Sequence, residues 1–324
     1  MIKKDVKRYQ KDIENIKKEI SKIVVGQQKA IDSFLTGLLC NGHVLVEGVP
    51  GIAKTLLIRS LAAVCGGKFR RIQFTVDLLP TDITGITAYD KTRGFYIIKG
   101  PIFANFIIAD EINRAPPKTQ SAMLEAMQER QVTIGKETFK LEDPFFVMAT
   151  QNPIESAGVY PLPEAQIDRF LLKIYMGYPS LDEEKTLIKK NVTLYNFEDF
   201  RLKPVVTPNR IIEMQRMTKE VYLSEKIEEY IVRIIDATRN PEKYKIKYGQ
   251  YIEYGASPRA SIGLFIASKA NALIKGKTFV TPQNVKNVAH SVLRHRILLN
   301  YEGQSEGIKT DDIITEILSK VPIP

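Results

Sequence analysis

Eight residues, Gly48-Val49-Pro50-Gly51-Ile52-Ala53-Lys54-Thr55, combine small residues, a lysine and a hydroxyl at a spacing that can grip a phosphate chain. That chemistry has three requirements: backbone amides free to turn inward, the positive end of a helix, and a cation for the outer phosphates. The run His43–Glu47 before the loop predicts a strand, and Lys54–Cys65 after it predicts a helix, which is the context such a loop needs. Thr55 offers its hydroxyl to Mg²⁺, and Leu56 continues the same first turn. The usual pattern has glycine before the lysine, where this chain has Ala53. Its methyl is compatible with right-handed helical angles, where no glycine is required. The segment predicts binding of Mg-ATP.

A second apolar run, Phe106–Ala109, ends in Asp110-Glu111. Parallel sheets place their ligands at the C-terminal ends of strands, so a buried strand delivering two acids there suits nucleotide chemistry. Asp110 is expected in the Mg²⁺ shell, and Glu111 is expected to orient and deprotonate an attacking water. A third run ends in Ala149-Thr150-Gln151-Asn152-Pro153, where the Asn152 amide can hydrogen-bond the water or the γ-phosphate.

These groups need a frame. Short strands are predicted at His43–Glu47, Arg71–Thr75, Phe106–Asp110, Phe145–Thr150 and Leu171–Met176, with helices at Lys54–Cys65 and Thr119–Arg130. Such alternation argues for a parallel sheet with helices on both faces. Two hairpins interrupt it, one at Gly94–Gly100 and one at Gln131–Lys140 with Gly135-Lys136 at its tip. Beyond about residue 190 the strand pattern stops. Thr207-Pro208, Ser257-Pro258 and Thr281-Pro282 each announce a helix, with the hydroxyl as cap and proline in the first turn. Upstream, Ile2, Val6, Tyr9, Ile13, Ile16, Ile20 and Ile23 line one face of an amphipathic helix. The predicted units are therefore an N-terminal helix (1–24), an α/β core (25–180) and an all-helical domain (190–324), joined near Gly177–Ser180.

Composition sets outer bounds. A chain of 324 residues that is 44% hydrophobic can bury a large core without disulfides. Cys40 and Cys65 read as reduced thiols in a reducing compartment. The charged N-terminus carries no leader-like apolar stretch, and no run approaches the roughly 20 residues that span a bilayer. A cytoplasmic location is expected. The net charge of +10 could attract nucleic acid, but the lysines are interspersed with acids, as in Lys17-Lys18-Glu19, so a solvated surface is expected instead. His43, His290 and His295 lack a metal-binding spacing.

Taken together, the sequence resembles the AAA+ ATPases and, within them, the MoxR family. The resemblance rests on Gly48–Thr55, Ala109–Gln120, Leu124–Val132, Ala149–Pro153 and Pro163–Phe170. Alanine before the P-loop lysine is common in that family. The resemblance implies a P-loop AAA+ core with a five-stranded parallel sheet and a smaller helical lid. It also implies Mg-dependent ATP hydrolysis in a hexameric, chaperone-like ring, with a partner that contains a von Willebrand factor A domain. Carried over by position, Val25-Gly26-Gln27 would meet the adenine, Asn152 would be sensor 1, Arg259 in Ser257-Pro258-Arg259 would be sensor 2, and Arg169 would be the arginine finger. Arg114 is the rival finger, and whether Arg259 serves its own nucleotide or a neighbour's stays open. Phe95, Tyr96 and Ile97 of the first hairpin become candidate client contacts. Other readings of the same motifs are a nucleic-acid-stimulated motor, a chelatase-like subunit, or a scaffold that binds ATP without useful hydrolysis.

Overall fold

The structure, a computed structural model, describes residues 2–49, 51–92, 94–152, 158–190 and 196–324. In chain order its strands are β1 (Val44–Gly48), β2 (Phe69–Gln73), β3 (Gly85–Asp90), β4 (Gly94–Lys99), β5 (Phe106–Asp110), β6 (Gln131–Ile134), β7 (Glu137–Lys140), β8 (Phe146–Gln151), β9 (Leu172–Met176), β10 (Ile252–Tyr254) and β11 (Leu298–Leu299). The helices are α1 (Ile2–Ile20), α2 (Gln28–Leu39), α3 (Lys54–Val64), α4 (Pro80–Thr84), α5 (Pro117–Glu129), α6 (Glu164–Ile167), α7 (Leu181–Lys190), α8 (Pro208–Glu220), α9 (Glu225–Arg239), α10 (Pro258–Ile274), α11 (Pro282–Leu293), α12 (Tyr301–Ser305) and α13 (Thr310–Lys320).

The five predicted core strands form one parallel sheet in the order β2-β5-β8-β1-β9. The central strands β5, β8 and β1 are buried on both faces, which is why they read as near-continuous apolar runs, whereas the edge strands β2 and β9 mix buried and exposed positions. Successive side chains alternate between two hydrophobic clusters. Val44, Val46, Ile108 and Met148 join the cluster that holds α1, α2, α3 and much of the C-terminal region. Leu45, Ile107, Ala109 and Val147 join a second cluster with α5 and the two hairpins. Val6, Ile13, Ile16 and Ile20 of α1 are buried in the first cluster, so the N-terminal stripe lies against the core.

Two details differ from the sequence reading, and one agrees. The segment Gly94–Gly100 is one arm of a hairpin, not the whole of it: β4 pairs antiparallel with the unpredicted β3. The second hairpin has the expected arms, and Gly135 at its tip takes φ 62°, where a Cβ would also strike Thr87 of β3. Strands do not vanish after residue 190 either. The C-terminal region is helical apart from a short antiparallel ribbon of β10 and β11, whose Ile252 and Leu299 pack on the main cluster.

Candidate functional site

β1 is the fourth strand of the sheet, with β8 on one side and β9 on the other. It delivers Gly48 to its C-terminal end, opposite Met176 of β9, and a Cβ at Gly48 would meet the Met176 carbonyl at 2.5 Å. The chain then turns through Gly51 (φ 82°) and Ala53 (φ 63°) into α3. Ala53 therefore sits in the left-handed region, not at the right-handed angles expected for it. The methyl is tolerated because that side chain is exposed. Ile52 is buried and pins the loop to the core, while Val49 packs partly against it. Lys54 opens α3 and donates from Nζ to the Gly48 carbonyl at 2.7 Å, across the mouth of the loop. Thr55 and Leu56 follow, both half-buried in the first turn. Pro50 lies outside the described residues.

Two strands away, about 10 Å across the sheet, β5 ends in Asp110. Its Oδ1 accepts from Thr150 Oγ1 at 2.7 Å, and its Oδ2 accepts from Arg71 Nη2 at 2.6 Å and Nε at 3.1 Å. The Glu111 amide in turn donates to Thr150 Oγ1 at 2.8 Å. Glu111 has φ 56°, a left-handed angle for a non-glycine residue, which is the kind of strain that collects at functional sites. Its Oε2 accepts from Gln73 Nε2 at 3.0 Å and pairs with Arg114 Nη1 at 3.0 Å. Between loop and acids, β8 ends at Gln151, and Asn152 follows, 9% exposed. The sheet thus brings Gly48–Thr55, Asp110, Glu111 and Asn152 to one edge. The donor set suits a triphosphate and a hard cation: amides at the start of α3, one ammonium, and the oxygens of Thr55 and Asp110.

Arg71, Gln73 and Thr150, which fix the two carboxylates, were not picked out from the sequence. The available signal was the polar alternation Arg71, Gln73, Thr75 in an otherwise apolar strand, and a hydroxyl one residue before the end of β8.

Gly26 (φ 68°) and Gln27 (φ 56°) form a left-handed pair before α2. Gln27 Nε2 donates to the Gly177 carbonyl at 3.1 Å, and a Cβ at Gly26 would collide with the Glu183 carboxylate. This segment therefore lies against the join between core and C-terminal region.

The two remaining arginines are elsewhere. Arg169 precedes Leu171 and β9, and so stands at the N-terminal end of the strands. Arg259, at the start of α10, lies with it along a cleft of about 320 Å³ that also includes Gly42, Asp168, Ile262 and Arg296. The phosphate loop is at the opposite end of β1, a strand of five residues and about 16 Å. Arg169 is exposed, and among the described residues its guanidinium has no hydrogen-bond or ion-pair partner. Arg259 Nη1 faces Asp168 Oδ2 at 3.6 Å. Arg114, by contrast, belongs to the acid edge through its pair with Glu111.

Of the hairpin residues, Phe95 is 78% exposed and packs against Tyr89 with ring centroids 5.1 Å apart and the rings tilted by 56°, and Tyr96 is also exposed. Ile97, on the same face of β4 as Phe95, is half-buried and packs on the second cluster.

Residues 43–172 match a family model described as the ATPase family associated with various cellular activities (AAA), and residues 249–317 match an AAA lid domain. The chain is 46% identical over 309 residues to Chaperone MoxR1 of Mycobacterium tuberculosis, spanning 94% of this chain and 81% of that protein. Against Protein MoxR of Paracoccus denitrificans the identity is 29% over 318 residues, 93% of each. The crystal structure of a candidate ATPase from Cytophaga hutchinsonii matches with a TM-score of 0.93 at 46% identity, covering 99% of this chain and 97% of that one.

Proposed function

Because the chain belongs to the MoxR family of AAA+ ATPases, we propose that it hydrolyses Mg-ATP within a hexameric ring of its own copies and uses the cycle to remodel a partner protein. The observation that carries this reading is the division of the site between two edges of one sheet. Gly48–Leu56 would cradle the phosphates, with Lys54 moving from the Gly48 carbonyl to the outer phosphate oxygens. Bound Mg²⁺, held through Thr55 and Asp110, would neutralise charge that develops on the transferred phosphoryl group. Thr150 and Arg71 keep the Asp110 carboxylate aimed at that position. Glu111 would take the proton of the attacking water once Gln73 and Arg114 yield it, and Asn152 would orient the same water. Gly26 and Gln27 would meet the adenine beside the join.

Arg169 and Arg259 open on the edge opposite their own phosphate loop. That placement supports action on a neighbouring subunit's ATP, with Arg169 as finger and Arg259 as sensor in trans. A guanidinium supplied this way contributes about 10³–10⁵ in rate in other NTPases. Arg114 is less suited, since its own Glu111 engages it. Residues 25–180 and 190–324 would then be core and lid, with α1 packed against both. The exposed Tyr89, Phe95 and Tyr96 are proposed to meet the partner, for which the family relationship favours a von Willebrand factor A domain. The setting proposed is the cytoplasm; among the described residues no helix is long and apolar enough to cross a membrane.

The test is Glu111→Gln. It should leave ATP affinity intact and lower kcat by about 10²–10⁴, the usual worth of a positioned base. Turnover equal to that of the parent protein would overturn the reading.

A further inference from the structure

The cleft that holds Arg169 and Arg259 is lined by three guanidiniums, and among the described residues its one lining carboxylate is Asp168. We propose that Asp168 is a positioning residue, setting both arginines for the neighbouring subunit's ATP. The proposal rests on the trans reading above and assigns the device that makes it work.

The geometry is specific. Asp168 Oδ1 accepts from Arg296 Nε at 2.7 Å. Oδ2 accepts from Ser257 Oγ at 3.0 Å and faces Arg259 at 3.6 Å. Ser257 was expected to cap α10, as Thr207 caps α8 by accepting from the Arg210 amide. Its hydroxyl makes no cap and turns to Asp168 instead. Arg296, with a side chain only 3% exposed, continues the clamp. Its Nη2 donates to the carbonyls of Asp168 (3.2 Å) and Phe170 (2.8 Å), and its Nη1 to that of Leu171 (3.1 Å). His295 Nε2 donates to the Phe170 carbonyl at 3.0 Å.

The backbone on both sides of Arg169 is thus fastened to residues beyond position 250, while the Arg169 side chain itself is left exposed. One carboxylate ties sensor and finger together. A rigid carrier with a free guanidinium is what a group reaching into another molecule requires, because a misplacement of about 1 Å can cost on the order of 10²-fold in rate. Without the Asp168 charge, Arg169, Arg259 and Arg296 would face one another unbalanced, and Arg259 would lose its anchor.

The experiment uses full-length chains. Asp168→Asn should lower kcat about 10–100-fold with little change in affinity for a non-hydrolysable ATP analogue, whose loop lies at the other sheet edge; Asp168→Glu should restore part of kcat. Asp168→Asn subunits are then mixed with Glu111→Gln subunits, with an Arg169→Ala plus Glu111→Gln mixture beside them. Both mixtures should hydrolyse ATP faster than the sum of their parts, since an intact acid pair meets an intact arginine face. Recovery with Arg169→Ala but not with Asp168→Asn would overturn the role of Asp168 and leave the trans reading standing. Recovery in neither would bring down both. Ser257→Ala keeps the carboxylate and removes one partner, so it covers the case of an Asp168 variant that fails to fold. It should show the same pattern at smaller amplitude, and an unchanged kcat there would also overturn the proposal.

Discussion

Ala53 shows how a single residue can carry strain inside a working motif. A left-handed alanine costs about 1–2 kcal/mol relative to glycine, while glycine loses about 0.4–1 kcal/mol more on ordering. Ala53→Gly should therefore stabilise the protein by about 0–1.6 kcal/mol, read as a rise in the denaturant midpoint with ATP affinity retained. A clear fall in the midpoint would show that the methyl is needed. The candidate phosphate loop and acid pair could be picked out in the sequence because each is a contiguous string with its own strand. The angle at Ala53 was not, since it depends on how the loop is drawn down by buried Ile52. Nor were the partners of Asp110 and Glu111, because Arg71, Gln73 and Thr150 lie 38–40 positions away and meet them only once strand order is set.

At the scale of elements, the parallel sheet was readable from its apolar runs, and four of the five strands shifted by only a residue or two. β3 escaped notice because it puts Ile86 and Tyr89 outward, so its pattern does not distinguish a buried face. The start of β1 carries a further constraint. His43 is buried, its Nδ1 accepts from the Val147 amide at 3.1 Å, and its Nε2 donates to the Met127 carbonyl at 3.0 Å. Burial, helped by the charge of Arg130 and opposed by the Met127 bond, lowers its pKa from 6.5 to about 3. His295 is shifted well down in the same sense, chiefly by burial and then by Arg296. For a base depressed in this way the unfolded chain binds the proton first. The stabilisation is complete above about pH 6.5 and is lost as pH falls toward 3. Between pH 7.5 and 5.5, where carboxylates scarcely titrate, His43 should remove on the order of 1 kcal/mol of stability, with His295 acting in the same direction. Equal denaturant midpoints at the two pH values would contradict this.

For the molecule as a whole, one hydrophobic cluster runs from Val6 through the sheet to Val321. Core and lid therefore share an interior, and α1 ties them further, since Asp12 pairs with Arg210 at 2.8 Å and Glu19 accepts from the Lys203 amide at 3.0 Å. That docking could not be read from periodicity, which gives helix faces but not their partners. Arg259 illustrates the point: its sequence neighbours make it a sensor candidate, yet only the seating of α10 decides which edge of the sheet it reaches. The roughly strand-length gap between those arginines and their own lysine has an outcome at the bench. On the action in trans proposed above, each polypeptide holds two unlike half-catalysts back to back, so diluting the sample should switch the enzyme off. Specific activity should fall steeply as protein concentration drops below the point where copies separate, and Arg169→Ala should flatten that curve. A rate per chain that stays constant on dilution would mean that a lone copy suffices.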